Sequence, residues 1–249
     1  MKKVLVILTL CMSTLFAAEI NIAVAANVSY AMDALKTEFA KTHPQTEIKV
    51  TLGSSGKLTA QIKNGAPYGI FMSADMFYPE ALYKENIATT KPVMYAQGAL
   101  AFLSVKPQDY TKGMQLLEDA AIEKIAVANP KTAPYGIAAI EAMHKSGVYE
   151  NIKKKLVFAE SISQTVSYTV TATQIGLIAK SSLYSPKMAQ YKENIHWASV
   201  DSSLYAPIDQ GIVLLKYAGD SQEYKDFYDF IMSAKAKEIL RRYGYIVHE

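Results

Sequence analysis

The chain has 249 residues, half of them hydrophobic, with 26 Lys and Arg against 23 Asp and Glu. Removal of an N-terminal leader with two lysines would leave 24 basic and 23 acidic residues, a net charge of about +1. Such a balance gives no strong field for a nucleic acid or a membrane surface, so we expect no nucleic-acid partner. The single cysteine, Cys11, lies in that leader, so a hydrophobic core rather than disulfides must stabilise the mature chain.

Residues 1–18 have the pattern of a secretory signal peptide: a basic start, an apolar run, and Ala17 and Ala18 before Glu19. The run is too short for a membrane anchor, and Leu10 before Cys11 is too large for a typical lipoprotein cleavage site. We therefore predict a periplasmic protein that begins at about Glu19. The remaining length, roughly 230 residues, suffices for one large lobe or two modest ones.

Two strand-to-helix junctions near the mature N-terminus have the composition of an anion-binding site. A predicted strand over 20–24 leads through Ala26-Asn27-Val28-Ser29 into an apolar helical stripe, and a strand over 48–51 leads into Gly53-Ser54-Ser55-Gly56. A helix start has unpaired N–H donors and a partial positive charge, and Ser adds a hydroxyl donor. Ser and Asn are also ordinary helix caps. The pair of junctions in one exported chain favours a shared ligand.

Strands and helices then alternate, which predicts parallel sheets covered by helices. A strand over 69–73 and a helix through Leu82 are followed by extended segments over 93–97 and 100–105, broken at Gly98. A second series has strands over 124–127, 156–158 and 174–178, a helix from Pro134 to near Gly147, and a helix over 164–170. A strand over 195–200, a polar connector over 201–209 and a strand over 212–215 follow, and two C-terminal helices bury aromatic residues.

These segments predict an α/β protein of two lobes with two hinge crossings. Lobe I comprises residues 19–97 and 206–249, and lobe II comprises residues 98–205. Ligands of open parallel sheets bind beyond the carboxyl ends of the strands. Asn27, Ser55 and Tyr135 all fall there, so we expect a ligand cleft between the lobes.

The chain resembles the periplasmic molybdate-binding proteins that supply ATP-binding-cassette importers. The resemblance covers nearly the whole mature chain and rests on residues 53–58 (GSSGKL), 65–67 (GAP), 70–75 (IFMSAD), 129–130 (NP), 134–137 (PYGI) and 175–178 (IGLI). It implies the type II periplasmic binding protein fold and transport rather than catalysis. It also implies a molybdate or tungstate ligand, a membrane permease partner and a monomeric receptor.

The resemblance further implies a tetrahedral oxyanion held by hydroxyl and backbone donors, without a cofactor or a metal–protein bond. Carried over by position, the ligand contacts are Asn27, Ser55 and the backbone N–H groups near Tyr135 and Ile162. Further possible contacts are Val28, Ser29 and Ser54. Asn27 stands where related proteins often have Ser, so its amide would replace a hydroxyl as donor.

The sequence departs from the family pattern in two places. Ala179 stands where many members have a ligand-contacting Tyr, and we hypothesise that the phenol of Tyr135 replaces that contact. Asp209 and Gln210 stand where a Tyr-Pro-like pair is expected before the returning strand. The details of the hinge should therefore differ from those of the family.

Neutral donors favour an anion without protons, as molybdate, tungstate and sulfate are near neutral pH. Hydrogen phosphate would need an acceptor, and the two junctions contain none. A receptor for sulfate or another small oxyanion remains the first alternative. A remote alternative is an acyl-transfer enzyme, because Ser54 and Lys57 form a Ser-x-x-Lys motif, but its companion motifs are absent from the sequence.

Overall fold

The computed structural model describes residues 18–247. The predicted signal peptide lies outside the described residues except for Ala18. None of the helices formed by residues 18–247 is both long and apolar enough to cross a bilayer. The strands are β1 Ala18–Ala25, β2 Thr46–Gly53, β3 Ile70–Met72, β4 Val93–Gly98, β5 Leu100–Leu103, β6 Ile125–Ala128, β7 Leu156–Ala159, β8 Ile175–Ala179, β9 Trp197–Ser199 and β10 Ile208–Leu214. The α-helices are α1 Ser29–Ala40, α2 Ser55–Lys63, α3 Phe77–Lys84, α4 Pro134–Lys145, α5 Tyr149–Ile152, α6 Ile162–Thr171, α7 Gln222–Met232 and α8 Ala234–Arg242.

The strands form two five-stranded mixed sheets with the same arrangement. The first has the order β2-β1-β3-β10-β4 and the second the order β7-β6-β8-β5-β9. In each sheet, one strand is antiparallel to both of its neighbours: β10 in the first and β5 in the second. The other paired strands are parallel, and helices cover the sheets. The predicted two-lobed α/β fold is confirmed.

Helices pack on both faces of the first sheet because each presents an apolar stripe to it. On one face, Leu35 of α1 and Phe227 of α7 are fully buried. On the other face, Leu58 of α2 and Leu82 of α3 pack against the same sheet. The C-terminal aromatic residues therefore belong to the core, as their spacing predicts. In the second sheet, α4 packs on one face and α6 on the other.

The chain passes between the sheets at two places. Ala99 separates β4 in the first sheet from β5 in the second, and residues 200–207 lead from β9 back to β10. The predicted boundaries are wrong on both sides of the second crossing. The strand expected over 195–200 is only Trp197–Ser199, because this edge strand pairs with β5 alone. The returning strand begins at Ile208 rather than Ile212, because Ile208 and Asp209 pair with the end of β4.

Candidate functional site

A cleft lies where the carboxyl ends of strands from the two sheets face each other. Five of the seven predicted ligand residues line it: Asn27, Ser54 and Ser55 from the first lobe, and Tyr135 and Ile162 from the second. The cavity measures about 10 Å³, roughly the volume of one water-sized sphere, so the lobes lie close together here. The other lining residues are Ala25, Ala26, Gly53, Ala74, Ala133 and Pro134.

Ser55 is the first residue of α2 and is 1% exposed. Its Oγ accepts a hydrogen bond of 2.9 Å from the amide of Ala74, two residues beyond the end of β3. That bond uses an acceptor position of the oxygen and leaves the hydroxyl hydrogen free to be donated. Ser55 is therefore fixed with a donor to offer.

Ser54 precedes α2 in extended conformation and is 4% exposed. Its Oγ makes no capping bond, and it is one of two buried side-chain polar atoms that have no hydrogen-bond partner among residues 18–247. A buried hydroxyl without a partner costs about 1–3 kcal/mol. The capping interpretation of this serine therefore fails, and a hydroxyl is left for another partner.

Asn27 is 0% exposed, and its Oδ1 is the other buried side-chain atom that has no hydrogen-bond partner among residues 18–247. Its Nδ2 donates to the Oε1 of Gln210 at 2.9 Å and to the hydroxyl of Tyr245 at 3.0 Å. Its backbone carbonyl accepts from Tyr245 at 2.8 Å and from Ser181 at 3.1 Å. Both hydrogens of the side-chain amide are thus engaged within the protein, whereas the sequence interpretation has this amide donating to the ligand.

Tyr135 lines the cleft from the second lobe. Its hydroxyl accepts a 3.1 Å hydrogen bond from the Nε2 of Gln210 and lies against Gly98, where an added Cβ would be only 2.0 Å from that oxygen. Burial raises the pKa of Tyr135 well above its ordinary value, so the phenol stays protonated at neutral pH. The structure thus gives this phenol a partner at the hinge, where the sequence interpretation has a ligand.

The second lobe offers backbone donors at two helix starts. Tyr135 is the second residue of α4, and Ile162 is the first residue of α6. The first N–H groups of a helix have no intrahelical acceptor and lie at the positive end of its dipole. Ser161 caps α6 by accepting from the Gln164 amide at 3.3 Å, which leaves the amide of Ile162 uncapped by that side chain.

The two remaining candidates, Val28 and Ser29, do not line the cavity. Val28 is fully buried in the core of the first lobe. The Ser29 hydroxyl donates to the Ala26 carbonyl at 2.7 Å and lies 3.4 Å from the Ser163 hydroxyl of the second lobe. Ser29 thus contacts the lobe interface beside the cleft.

No Lys or Arg is among the lining residues. Lys57 pairs with Glu160 of the second lobe at 3.0 Å, and both side chains are about half exposed. Its ammonium is thus engaged across the lobes, which removes support from the Ser-x-x-Lys alternative. Within residues 18–247, no group of three or more His, Cys, Asp or Glu side chains is placed to bind a metal ion. The electrostatics of the cleft therefore depend on neutral dipoles.

Hydrogen bonds join the lobes beside the cleft. The Gly56 amide donates to the Thr132 carbonyl at 2.9 Å, and the Ser163 hydroxyl donates to the Ala26 carbonyl at 2.8 Å. A Cβ at position 56 would lie 2.6 Å from the Tyr78 hydroxyl and 3.0 Å from the Thr132 Cα. A side chain at position 56 would therefore displace the Tyr78 hydroxyl and crowd the Thr132 backbone.

Sequence reasoning missed the side chains that hold Asn27. Gln210 contacts Asn27 and Tyr135, and its Oε1 also accepts from Tyr95 at 2.8 Å. Gln210 is fully buried, and Tyr245 is 4% exposed. The one available signal is the departure from the family pattern at Asp209 and Gln210. The partners of Gln210 lie 75 to 183 positions away in the chain, and no local pattern reveals such contacts.

Two similar lobes joined by two crossings, with converging donors between them, define a solute-binding receptor. The chain belongs to the family described as bacterial extracellular solute-binding protein, whose model matches residues 20–246. It is a member of a solute-binding transport family rather than an enzyme family.

Three named proteins are similar over most of the chain. A molybdate-binding protein of Rhodobacter capsulatus is 37% identical, with coverage of 92% of this chain and 89% of that protein. A molybdate-binding protein of Azotobacter vinelandii is 35% identical, with coverage of 92% of this chain and 90% of that protein. A solved Azotobacter vinelandii periplasmic molybdate-binding protein superposes with a TM-score of 0.84 at 28% identity and covers 92% of this chain and 100% of its own.

Proposed function

We propose that this protein captures molybdate, and tungstate by the same chemistry, between its lobes and delivers it to the membrane permease of an ATP-binding-cassette importer. The named relatives support the ligand, since both curated sequences and the superposed structure are molybdate-binding proteins. The solute-binding family supports the role in transport.

The observation that carries the proposal is a buried cleft of unpaired neutral donors. Ser54 has a hydroxyl without a partner, Ser55 has a free hydroxyl hydrogen, and Tyr135 and Ile162 are at helix starts. Each helix start stabilises an anion by about 0.3–1 kcal/mol when exposed and up to about 2 kcal/mol when partly buried. Several such donors together suit a dianion that has no hydrogen to donate.

Binding closes the two lobes, residues 19–97 with 206–249 and residues 98–205, about the crossings at Ala99 and 200–207. Closure requires that the ligand bind the closed state more tightly than the open one. The contact between Gly56 and Thr132 and the ion pair between Lys57 and Glu160 hold the closed state. The permease then recognises the surface that both lobes form.

The receptor acts in the periplasm as a monomer after removal of the signal peptide 1–18. The extracellular solute-binding family and the basic, then apolar, N-terminal sequence support this location.

Isothermal titration calorimetry of the mature protein with molybdate, tungstate, sulfate and phosphate tests the proposal. We expect one-to-one binding of molybdate and tungstate and far weaker binding of phosphate. Heat from sulfate alone would instead assign the protein to the sulfur oxyanions, and the absence of heat from all four anions would contradict an oxyanion receptor.

A further inference from the structure

Gln210 is at the centre of a buried network that connects both sides of the cleft. Its Oε1 accepts from Asn27 at 2.9 Å and from Tyr95 at 2.8 Å, and its Nε2 donates to Tyr135 at 3.1 Å. Asn27 and Gln210 are both fully buried, so water does not compete for these bonds. The orientation of one side-chain amide therefore constrains the other.

The hydrogen bonds of this network leave one acceptor oxygen and one hydroxyl hydrogen without a partner among residues 18–247. The Oδ1 of Asn27 has no donor among the described residues. The Tyr135 hydroxyl accepts from Gln210, and no bond of residues 18–247 uses its hydrogen. We call this arrangement of the hydrogen bonds the acceptor order. In it, Asn27, which lines the cleft, has an unpaired oxygen. Such an oxygen suits a ligand that has a hydrogen to donate.

Half-turns of both amide planes give a second arrangement with the same heavy-atom contacts, because the nitrogen and oxygen of an amide exchange places. We call this second arrangement the donor order. In it, the Tyr135 hydroxyl donates to Gln210 Oε1, and Gln210 Nε2 donates to Asn27 Oδ1 and to the Tyr95 oxygen. The Tyr95 hydroxyl hydrogen then goes to the Ser73 carbonyl, which lies 3.3 Å away. The Tyr245 hydroxyl turns its hydrogen from the Asn27 carbonyl to Oδ1, which now lies where Nδ2 was, 3.0 Å away, and Ser181 still donates to that carbonyl. The amide hydrogens of Asn27 are then the unpaired ones.

We propose that Gln210 is a positioning residue that sets which end of the Asn27 amide the ligand meets, and thereby the selectivity between unprotonated and protonated oxyanions. This inference rests on the proposed function. A fully deprotonated dianion selects the donor order, in which Asn27 Nδ2 is free to donate. Hydrogen phosphate selects the acceptor order, in which Asn27 Oδ1 accepts its hydrogen.

The orders are coupled because neither amide can turn alone. If only Asn27 turned, its Oδ1 would face the Oε1 of Gln210 at 2.9 Å, where two acceptors have no hydrogen between them. Tyr135 completes the coupling from the second lobe, since its hydroxyl accepts in one order and donates in the other. Burial raises the pKa of Tyr95 and of Tyr135, so both keep the hydrogens that the donor order requires.

The test measures molybdate and phosphate affinities by calorimetry for the mature protein and for Gln210→Glu and Gln210→Met. When ionised, the carboxylate of Gln210→Glu only accepts, so it holds the amide hydrogens of Asn27 away from the cleft. Burial favours the neutral carboxyl, so the titration is repeated at rising pH, where the effect should grow. We expect its molybdate affinity to fall by roughly tenfold or more. In Gln210→Met the Asn27 amide loses its orienting partner, so the preference for molybdate over phosphate narrows by roughly threefold or more.

Gln190→Glu is the matched control for the added charge. Gln190 lies in the second lobe after residues 186–188, and its side chain is exposed. Solvent screens a charge there, so we expect a molybdate affinity within about twofold of the parent. Equal losses for molybdate and phosphate in both Gln210 variants would indicate a purely structural role and overturn the inference.

A second measurement does not depend on whether the Gln210 variants fold. In the ¹⁵N-labelled parent protein, the side-chain amide resonance of Asn27 is assigned by its absence from Asn27→Ser. We expect molybdate to shift this resonance, because its hydrogens leave Gln210 and Tyr245 for the oxyanion. An unchanged resonance with bound molybdate would overturn the inference alone, whereas a parent protein that binds no molybdate would overturn the proposed function.

Discussion

The first and second lobes have the same strand order around one antiparallel strand, β10 in one and β5 in the other, yet they contribute different donors to the cleft. The first lobe contributes side chains, namely the hydroxyls of Ser54 and Ser55. The second contributes the backbone amides of Tyr135 and Ile162 at helix starts. A side-chain donor depends on one residue type, whereas a backbone donor depends only on the helix start.

The two lobes should therefore respond differently to substitution. A change of one side chain removes a donor from the first lobe. In the second lobe, the same kind of change leaves the donor in place, and only displacement of the helix start removes it. Four substitutions test this difference.

Gly56→Val should have the largest effect, because it separates the two sets of donors. A Cβ at position 56 would overlap the Tyr78 hydroxyl and crowd the backbone of Thr132, and the branched side chain of valine adds two further carbons there. Forced overpacking costs about 1–3 kcal/mol and at times more, so we expect molybdate affinity to fall by about 3 kcal/mol in calorimetry. Small-angle scattering should show no contraction when molybdate is added.

Ala60→Gly is the control for this substitution, because it lies on the exposed side of the same helix. It should reduce the free energy of unfolding by about 1 kcal/mol through helix propensity and leave affinity unchanged. Parent-like affinity in Gly56→Val would contradict closure at this contact.

Ser55→Ala should weaken binding by about 1–3 kcal/mol, the range for a hydrogen bond to a charged group. It should also destabilise the free protein, because the Ala74 amide loses its acceptor. Calorimetry and thermal unfolding measure the two effects. Ser167→Ala, an exposed serine on α6, is the matched control and should change neither quantity. Unaltered affinity in Ser55→Ala would remove Ser55 from the site.

Ser54→Ala should weaken binding by about 1 kcal/mol without destabilising the free protein. Its hydroxyl has no partner among residues 18–247, so its removal abolishes an unsatisfied buried group. The two serines should therefore differ in unfolding temperature although both lose affinity. A matching fall in unfolding temperature would show that this hydroxyl has a structural partner.

Ile162→Val should have the smallest effect, a change in affinity within about twofold, or about 0.4 kcal/mol. The amide N–H of α6 remains, and the smaller side chain fills most of the same buried space. A large loss of affinity would show that the side chain at this position, rather than its amide, governs binding.

The two junctions that form the first lobe's part of the cleft could be predicted from the sequence. Residues 48–51 are β-branched or alternating, and Ser54 and Ser55 follow at a helix start, so the periodicity and the composition indicate the same boundary. The start of β10 could not be predicted, because pairing with β4 rather than local composition makes Ile208 and Asp209 part of the strand. The donors could be predicted from residue types, whereas the contacts that orient them could be seen only in the folded chain.

The orientation of Asn27 illustrates this limit. The sequence predicts its place at a helix start, and the structure adds that Gln210, 183 positions away, holds its amide. Hydrogen bonds of that separation leave no trace in the spacing of apolar residues. Tyr135 is similar: its position at the start of α4 was predictable, and the direction of its hydroxyl toward Gly98 and Gln210 was not.

A crystal structure of the mature protein with molybdate, with anomalous scattering from molybdenum, would locate the bound ligand. We expect one molybdenum peak in the cleft, with its oxygens about 2.7–3.2 Å from the hydroxyls of Ser54 and Ser55 and from the amide nitrogens of Tyr135 and Ile162. A peak outside the cleft, or oxygens bound by lysine or arginine side chains, would contradict this expectation.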